Sequence, residues 1–254
     1  MAASPLAPPS SIPSAPEPAQ LSEGARIINT FIAPSKTFND LRRNASWWAP
    51  WLLVSIFGLI FVYSMERQIG FDQISKNEIA SSPRAADQFD KLSTADQQKR
   101  LEFSDALIKY LAYGSPITTL LFFLIMAVIL WATIKVVAGS DISFKTAYAI
   151  VFYAKLPEIV GAVLGTVSMF AGINPEGFNV NNPVATNPAY FMDRGGNRFL
   201  YTLASGLDVV QIWCIILMGI GFACTSKIKR STAIGIVAGW YVFWKLATAA
   251  LAAR

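Results

Sequence analysis

Long apolar stretches that hold almost no charge limit most strongly what this chain can fold into. Five of them lie at residues 47–65, 116–137, 146–172, 199–226 and 231–250. A helix needs about 20 mostly apolar residues to cross about 30 Å of hydrocarbon, and each stretch is near or above that length. Alternating strands of about ten residues, which a membrane barrel requires, are not visible in the sequence. The five stretches are therefore predicted to be transmembrane helices.

The composition excludes a water-soluble globular domain. Hydrophobic residues make up 54% of the chain and charged residues only 15%, against about 25% charged residues in an ordinary soluble domain. We expect an all-α integral membrane protein, a bundle of five transmembrane helices with short interfacial N-terminal helices and a partly helical exterior loop.

The N-terminal region divides into two parts. Residues 1–23 are rich in Pro, Ala and Ser and are predicted to be a disordered tail. Residues 24–46 carry apolar side chains at helical spacing, including Ile28 and Phe31, together with several basic residues. This pattern is typical of a cytoplasmic amphipathic segment lying in the membrane interface. The alternative is a helix that packs on the rest of the protein.

The distribution of basic residues predicts the orientation. Short loops and flanks on the N-terminal side carry Lys36, Arg42, Arg43, Lys145, Lys227, Lys229 and Arg230. A cytoplasmic excess of Lys and Arg places the N-terminus inside, with 66–115 and 173–198 as exterior loops. The first of these loops also holds seven Lys and Arg residues, which argues against this orientation.

Four charged residues inside the apolar stretches form the candidate site. They are Lys155 and Glu158 in the third stretch, Asp208 in the fourth and Lys245 in the fifth. Each would cost about 2.5–3.5 kcal/mol at the centre of a membrane helix, so they must pair, reach the interface or face water.

The spacing suggests how they pair. Lys155 and Glu158 are three residues apart and share a helix face. Asp208 and Lys245 have opposite charge on different helices, which predicts an interhelical pair, and Gln211 shares a face with Asp208. One interpretation is a polar intramembrane site for an ion or a lipid headgroup. The other is a pair of salt bridges that fix helix register, with Lys245 reaching the headgroups.

Proline and glycine residues add further expectations for the third and fifth stretches. Pro157 removes a backbone hydrogen bond and predicts a helix kink beside Lys155 and Glu158. Two pairs of glycines with three residues between them allow close approach of helices, either within the bundle or between copies of the chain. These pairs are Gly161 with Gly165, and Gly235 with Gly239.

No enzyme signature is present in the sequence. Histidine is absent, and the motifs of serine hydrolases, zinc proteases, P-loop NTPases and thiol oxidoreductases are missing. We expect no catalysis, no metal and no cofactor, although acid–base chemistry by Asp, Glu and Lys stays an alternative. The net charge of +5 suits a protein facing anionic lipid and does not indicate nucleic acid as a partner.

Three groups of residues resemble the Yip1-domain family. They are Phe31-Ile32-Ala33-Pro34-Ser35-Lys36-Thr37-Phe38 followed by Trp48-Ala49-Pro50, then Tyr148, Tyr153 and Pro157, and finally Leu207-Asp208, Ile212-Trp213 and Gly219-Ile220-Gly221. The resemblance implies five membrane spans and a cytosolic N-terminus. Eukaryotic members act in ER–Golgi traffic and bind Rab-type GTPases and one another. Their acidic Tyr-Gly-Pro segment has no counterpart here, so the chain is more similar to the prokaryotic branch.

The functional expectation follows from these observations. We expect a non-catalytic membrane-organising or protein-interaction component that contacts the bilayer and other membrane proteins or further copies of itself. The alternative is a transporter or lipid-handling protein that uses Lys155, Glu158, Asp208 and Lys245. The expected location is the bacterial inner membrane, or the ER or Golgi membrane if the source is eukaryotic.

Overall fold

The computed structural model describes residues 19–253, and within that range the regular structure is entirely helical. Twelve α-helices are numbered here in chain order. They are α1 (Glu23–Ile32), α2 (Pro34–Asp40), α3 (Trp48–Gln68), α4 (Phe71–Ala80), α5 (Pro83–Asp90), α6 (Thr94–Tyr113), α7 (Ser115–Ala138), α8 (Phe144–Ala154), α9 (Glu158–Phe170), α10 (Arg198–Ser205), α11 (Val209–Thr225) and α12 (Arg230–Ala252).

The helices confirm the predicted fold class of a helical integral membrane protein. Four segments of the described chain are long and apolar enough to cross a membrane: α3, α7, α8 together with α9, and α12. A fifth is available if α10 and α11 form one span, but they are bent by 52° between Ser205 and Val209. The fourth apolar stretch is therefore not the single helix that the sequence predicted.

The physical reason for the bend lies in the residues between the two helices. Gly206 ends α10, and Asp208 caps α11 by accepting hydrogen bonds from its first free backbone N–H groups. Aspartate and glycine are favoured at such helix ends. Hydrophobicity alone does not reveal these end signals, because the residues around them are apolar.

Helix α8 is the centre of the bundle. Its residues from Ala149 to Ala154 are fully buried, and Leu156 just beyond it is buried too. They belong to one apolar core to which α2, α7, α11 and α12 also contribute. A second, smaller core joins the end of α3 to α4 through Met65, Ile69 and Ile74.

The N-terminal helices pack on this core. Phe38 of α2 and Leu41 just after it are fully buried, and α2 lies against α11. Residues 24–46 thus pack on the bundle through α2, while the predicted position of this segment in the membrane interface stays a prediction. Of the predicted disordered tail, residues 1–18 lie outside the described residues, whereas Ser22 caps α1 and Glu23 begins it.

The two predicted exterior loops meet at the opposite end of the bundle. The first loop folds into α4, α5 and α6, which are tied to α3 because Glu66 accepts hydrogen bonds from Lys109 (2.7 Å) and Tyr113. The bond to Glu66 raises the pKa of Tyr113 to about 12, so this phenol stays a proton donor. The second loop contains two short 3₁₀ turns, Pro175–Gly177 and Pro188–Phe191.

Three of the four predicted packing glycines make no close contact within the described chain, and for them packing between copies of the chain stays a prediction. A Cβ atom added at Gly161, Gly235 or Gly239 would meet nothing within 4 Å, so these residues do not mediate close packing within the described chain. Gly165 does, since its Cβ would lie 2.6 Å from the ring of Phe61.

The tightest interhelical approach uses a glycine that spacing alone did not single out. A Cβ at Gly219 of α11 would lie 2.7 Å from the backbone Cα of Ile234 on α12. Backbone atoms cannot move aside as a flexible side chain can, so only glycine allows α11 and α12 to meet here.

We expect Gly219→Val to lower the free energy of unfolding by about 1–3 kcal/mol, because the added atoms overpack the α11–α12 contact. The measurement is thermal unfolding of the purified protein in detergent. Gly235→Ala is the matched control on α12, where a Cβ has open space, and it should leave the midpoint unchanged or raise it. Equal stability of Gly219→Val and the parent would contradict the packing described here.

Candidate functional site

The interruption between α8 and α9 positions the first two residues of the site. Pro157 has no backbone N–H, so the regular hydrogen-bond pattern of a helix cannot run through it. Helix α8 ends at Ala154, three turn residues follow, and α9 begins at Glu158. The two helices still form one apolar segment from Phe144 to Phe170. The regular helix is therefore interrupted just before Glu158, with Lys155 at one edge of the break and Glu158 at the other.

Lys155, Glu158 and Gln211 form a closed polar triad. Lys155 Nζ lies 2.6 Å from Glu158 Oε1 and donates to Gln211 Oε1 at 3.0 Å. Gln211 Nε2 in turn donates to Glu158 Oε1 at 3.0 Å. The side chain of Lys155 is only 9% exposed and that of Glu158 is 29% exposed. The Lys155–Glu158 pair is thus present, although it bridges the break between α8 and α9 and does not lie within one helix, and Gln211 connects it to α11.

Asp208 has a different set of partners from the one expected. Its Oδ1 accepts from the backbone N–H of Val210 (2.9 Å) and Gln211 (3.0 Å) at the start of α11. Its Oδ2 accepts from Thr186 and from Asn187 (3.2 Å) in the second loop. The positive end of the α11 dipole adds to the stabilisation of this carboxylate.

The predicted Asp208–Lys245 ion pair is wrong. Among residues 19–253, Lys245 has no carboxylate within 4 Å, and its closest polar contact is Ser205 Oγ at 3.4 Å. Its ammonium also lies 6.0 Å from the ring centre of Tyr241. Asp208 is instead held at the start of α11 by its bonds to that helix and to the second loop, which keep its carboxylate more than 4 Å from the Lys245 ammonium.

All five candidate residues nevertheless line one cleft. It has a volume of about 830 Å³ and lies between α7, α9, α11, α12 and the second loop. Most of its wall is apolar, and the polar groups comprise the triad, Asp208 with its loop partners, and Lys245. The structure therefore brings together Lys155, Glu158, Asp208, Gln211 and Lys245. The side chains of Lys155, Glu158 and Gln211 bond to one another, and Asp208 joins them through the backbone N–H of Gln211.

The rim of the cleft is apolar and exposed. Helices α7 and α12 contribute six large side chains, 37–61% exposed, to the lining: Phe122, Ile125, Ile129, Trp240, Phe243 and Trp244. The two helices are joined by the indole N–H of Trp240, which donates to Thr133 Oγ1 at 3.0 Å. In a membrane, exposed apolar side chains of spanning helices face lipid, so this rim offers a route from the bilayer into the cleft.

The chemistry available in the cleft is that of binding. Apolar walls with a few placed polar groups are typical of ligand pockets. Within residues 19–253, no group of three or more His, Cys, Asp or Glu side chains is arranged to hold a metal ion. The ammonium of Lys245 is the charge best placed to meet a ligand, because Lys155 is neutralised by Glu158.

Several residues of the site were not found from the sequence. Thr186 and Asn187 hold Asp208, and Ser205 and Tyr241 contact Lys245. They are ordinary polar residues in a loop or at helix ends, and only the fold brings them near the charges. The one available signal was the preference of aspartate for helix N-caps, which links Asp208 to the start of α11.

Comparison with known proteins gives one match. The family model described as the Yip1 domain matches residues 28–251, which is nearly the whole chain. No curated protein and no solved structure matches the chain.

We expect Lys155→Met to lower the free energy of unfolding by about 3 kcal/mol, since it leaves Glu158 without its cation. This is the lower end of the usual cost of breaking a buried pair, because Glu158 is partly exposed. Adding Glu158→Gln should restore most of the loss. Unfolding in detergent, followed by circular dichroism, measures both effects.

Lys91 provides the matched control. It pairs with Asp87 at the same 2.6 Å, but their side chains are 71% and 65% exposed. Lys91→Met should therefore leave the unfolding midpoint unchanged. If Lys155→Met behaved in the same way, the triad would not stabilise the helix contacts.

Proposed function

The chain belongs to the Yip1 domain family of membrane proteins, and from that premise we propose that it is a non-catalytic, lipid-binding protein. Its ligand is an anionic amphiphile whose headgroup meets Lys245 and whose hydrocarbon chain lies along the apolar rim of the cleft. The sequence leaves a lipid-handling protein as an alternative, and the geometry of the site specifies the charge and the apolar part of its ligand.

The observation that carries the proposal is the state of Lys245. This half-buried ammonium lines an apolar cleft and has no carboxylate within 4 Å among the described residues. A charge in such a place is costly unless something compensates it. A phosphate or carboxylate headgroup supplies that compensation, which Ser205 does not, because its Oγ is a neutral acceptor whose proton is donated to the carbonyl of Thr202.

The exposed rim favours a lipid over a water-soluble anion. A polar solute gains nothing from contact with Phe122, Ile125, Phe243 and Trp244, whereas a hydrocarbon chain that remains against them stays in an apolar environment throughout. A phospholipid in the adjoining leaflet can place its acyl chains against the rim and its phosphate beside the Lys245 ammonium.

The hydrogen bonds of the other charged residues favour a non-catalytic role. A general acid or base must be free to exchange a proton with a substrate. Lys155 and Glu158 are engaged in the triad, and Asp208 holds the start of α11 through two backbone bonds. Using any of them in catalysis would disturb the helix contacts that they maintain.

The same proposal includes a location. We place the protein in a bacterial inner membrane with its N-terminus in the cytoplasm, which puts the cleft on the outer side, where α10 and the exterior second loop adjoin it. Support comes from the basic residues of the short loops and flanks on the N-terminal side, namely Lys36, Arg42, Arg43, Lys145, Lys227, Lys229 and Arg230.

We expect Lys245→Met to weaken the binding of phosphatidylglycerol at least tenfold, which corresponds to about 1.4 kcal/mol, while protein stability stays equal or rises. Stability does not fall because the substitution removes a desolvated charge that no carboxylate pairs with. Native mass spectrometry of the detergent-solubilised protein measures the lipid adducts, and thermal unfolding measures stability.

Two comparisons define this experiment. Lys135→Met is the control, because Lys135 also lies over an aromatic ring (5.0 Å from Trp131) but outside the cleft, and its binding of lipid should not change. Diacylglycerol, which lacks the phosphate, and inorganic phosphate, which lacks the chains, should both bind weakly. Tight binding of inorganic phosphate alone would contradict the lipid assignment, and equal lipid binding by Lys245→Met and the parent would contradict the site.

A second candidate function, a protein-interaction component of the membrane, is favoured by helix α6. This helix is not among the candidate spans, yet it exposes an apolar stripe formed by Phe103 (70%), Leu107 (46%), Tyr110 (79%) and Leu111 (56%). Exposed apolar patches outside the bilayer mark interaction surfaces.

We expect that, under this second function, Phe103→Ser with Leu107→Ser abolishes association with a partner or a second copy while lipid binding persists. Cross-linking in native membranes measures the association. Unchanged cross-linked products would contradict this role for the α6 stripe. Leu200→Ser is the control, since Leu200 is 51% exposed on α10, away from the stripe.

A further inference from the structure

Helix α1 is amphipathic in the opposite sense to a helix of a soluble protein. Its fully buried residues are polar, Arg26 and Thr30, whereas Ile28 is 61% exposed, Ile32 is 75% exposed and Phe31 is 36% exposed. A helix on the surface of a soluble protein turns its apolar stripe toward the core. In α1 the apolar stripe points away from the protein.

The buried polar face of α1 is held by a cluster of charges and hydroxyl groups, in which Nη2 of Arg26 alone among the guanidinium nitrogens has no hydrogen-bond partner within residues 19–253. Arg26 Nε donates to Asp40 Oδ2 at 2.7 Å, and Arg26 Nη1 donates to Glu23 Oε1 at 3.2 Å. Glu23 Oε2 accepts from the hydroxyl of Tyr153 on α8 at 2.6 Å. Thr30 and Thr37 each donate to the backbone carbonyl of Arg26 at 2.8 Å.

These bonds fix the rotation of α1. Turning the helix to bury Ile28 and Ile32 would expose Arg26 and break its contacts with Glu23 and Asp40, which is costly for buried ion pairs. The apolar residues therefore face outward as a consequence of the cluster, and the surroundings must accept them.

The outward face of α1 continues the exposed face of a membrane helix. The ring of Phe31 packs edge-on against Trp213 of α11, with ring centres 5.6 Å apart. On α11 the neighbouring apolar residues Ile212 and Ile216 are 43% and 41% exposed. Apolar side chains exposed on a membrane bundle contact lipid, so the surface formed by Ile28, Phe31 and Ile32 borders directly on lipid-covered surface.

We propose that this surface of α1 is a bilayer-contact surface, in which Ile28, Phe31 and Ile32 are covered by lipid hydrocarbon and α1 with α2 forms a membrane-embedded part of the bundle. Exposed Lys36 of α2 and Arg42 just after it lie at the edge of this surface and meet the anionic headgroups. The proposal rests on α1 alone and does not depend on a ligand in the cleft.

Spin labels test the surroundings of α1 directly. Single cysteines are introduced by Ile28→Cys, Ile32→Cys, Lys36→Cys and Arg42→Cys, and the labelled full-length protein is placed in vesicles of phosphatidylethanolamine and phosphatidylglycerol. Signal from the native Cys214 and Cys224 is subtracted with the labelled parent. Collision rates with oxygen, which partitions into hydrocarbon, and with a water-soluble nickel complex are compared.

We expect the ratio of oxygen to nickel collisions to exceed one at positions 28 and 32 and to fall below one at the control positions 36 and 42. A high nickel rate at 28 and 32 would overturn the proposal, because the surface would face water. Low rates for both reagents would also overturn it, because a second copy or another protein would then cover the surface.

A second measurement uses the unmodified protein. Vesicles that contain a phospholipid with a photoactivatable group on its acyl chain are irradiated, and the cross-linked peptides are identified by mass spectrometry. Cross-links to residues 23–32 support the proposal, and their absence alongside cross-links to the exposed residues of α11 would overturn it.

Discussion

An ammonium group taken out of water into a membrane bundle must be compensated, and much of this structure can be understood from how the Lys155 ammonium is compensated. Glu158 lies one helical turn further along the chain, and Gln211 reaches it from α11. Gln211 bonds to both members of the pair. Moving α11 relative to α8 and α9 would break these bonds and leave the charges of Lys155 and Glu158 less well compensated in an apolar environment, which costs free energy. The triad therefore fixes the register of three helices around the most buried part of the fold.

The position of the cleft follows from that register. Gln211 lies in the first turn of α11, so the triad holds the start of that helix next to the break between α8 and α9. Asp208 then caps α11 and attaches the second loop to it through Thr186 and Asn187. Lys245 lies across the cleft with no carboxylate within 4 Å among residues 19–253, and the charge of Asp208 acts on it only from beyond that distance. The charges thus differ in role: three stabilise helix ends and contacts, and one remains available to a ligand.

The sequence predicted what depends on local spacing, and it failed where the fold brings distant residues together. Hydropathy identified the membrane helices, and the three-residue separation identified the Lys155–Glu158 pair. The Asp208–Lys245 pair was predicted from opposite charge alone, which neglects the competition from the free N–H groups of α11. Gly235 and Gly239 have the spacing of a packing motif but point away from the described helices, whereas Gly219 packs most tightly. The Arg26–Asp40 pair joins two helices across a tight turn, a geometry that no periodic pattern encodes.

The bend between α10 and α11 has a mechanical consequence for the surrounding lipid. Helix α11 has 17 residues, a rise of about 26 Å, whereas the hydrocarbon region is about 30 Å thick. Helix α10 makes up the difference at an angle: its eight residues rise about 12 Å, and at a bend of 52° about 7 Å of that rise lies along the axis of α11. The pair therefore reaches the length of a span only when both helices lie in the hydrocarbon. Together they present lipid with a slanted surface, to which the neighbouring acyl chains must tilt, at a fraction of a kcal/mol per Å of mismatch.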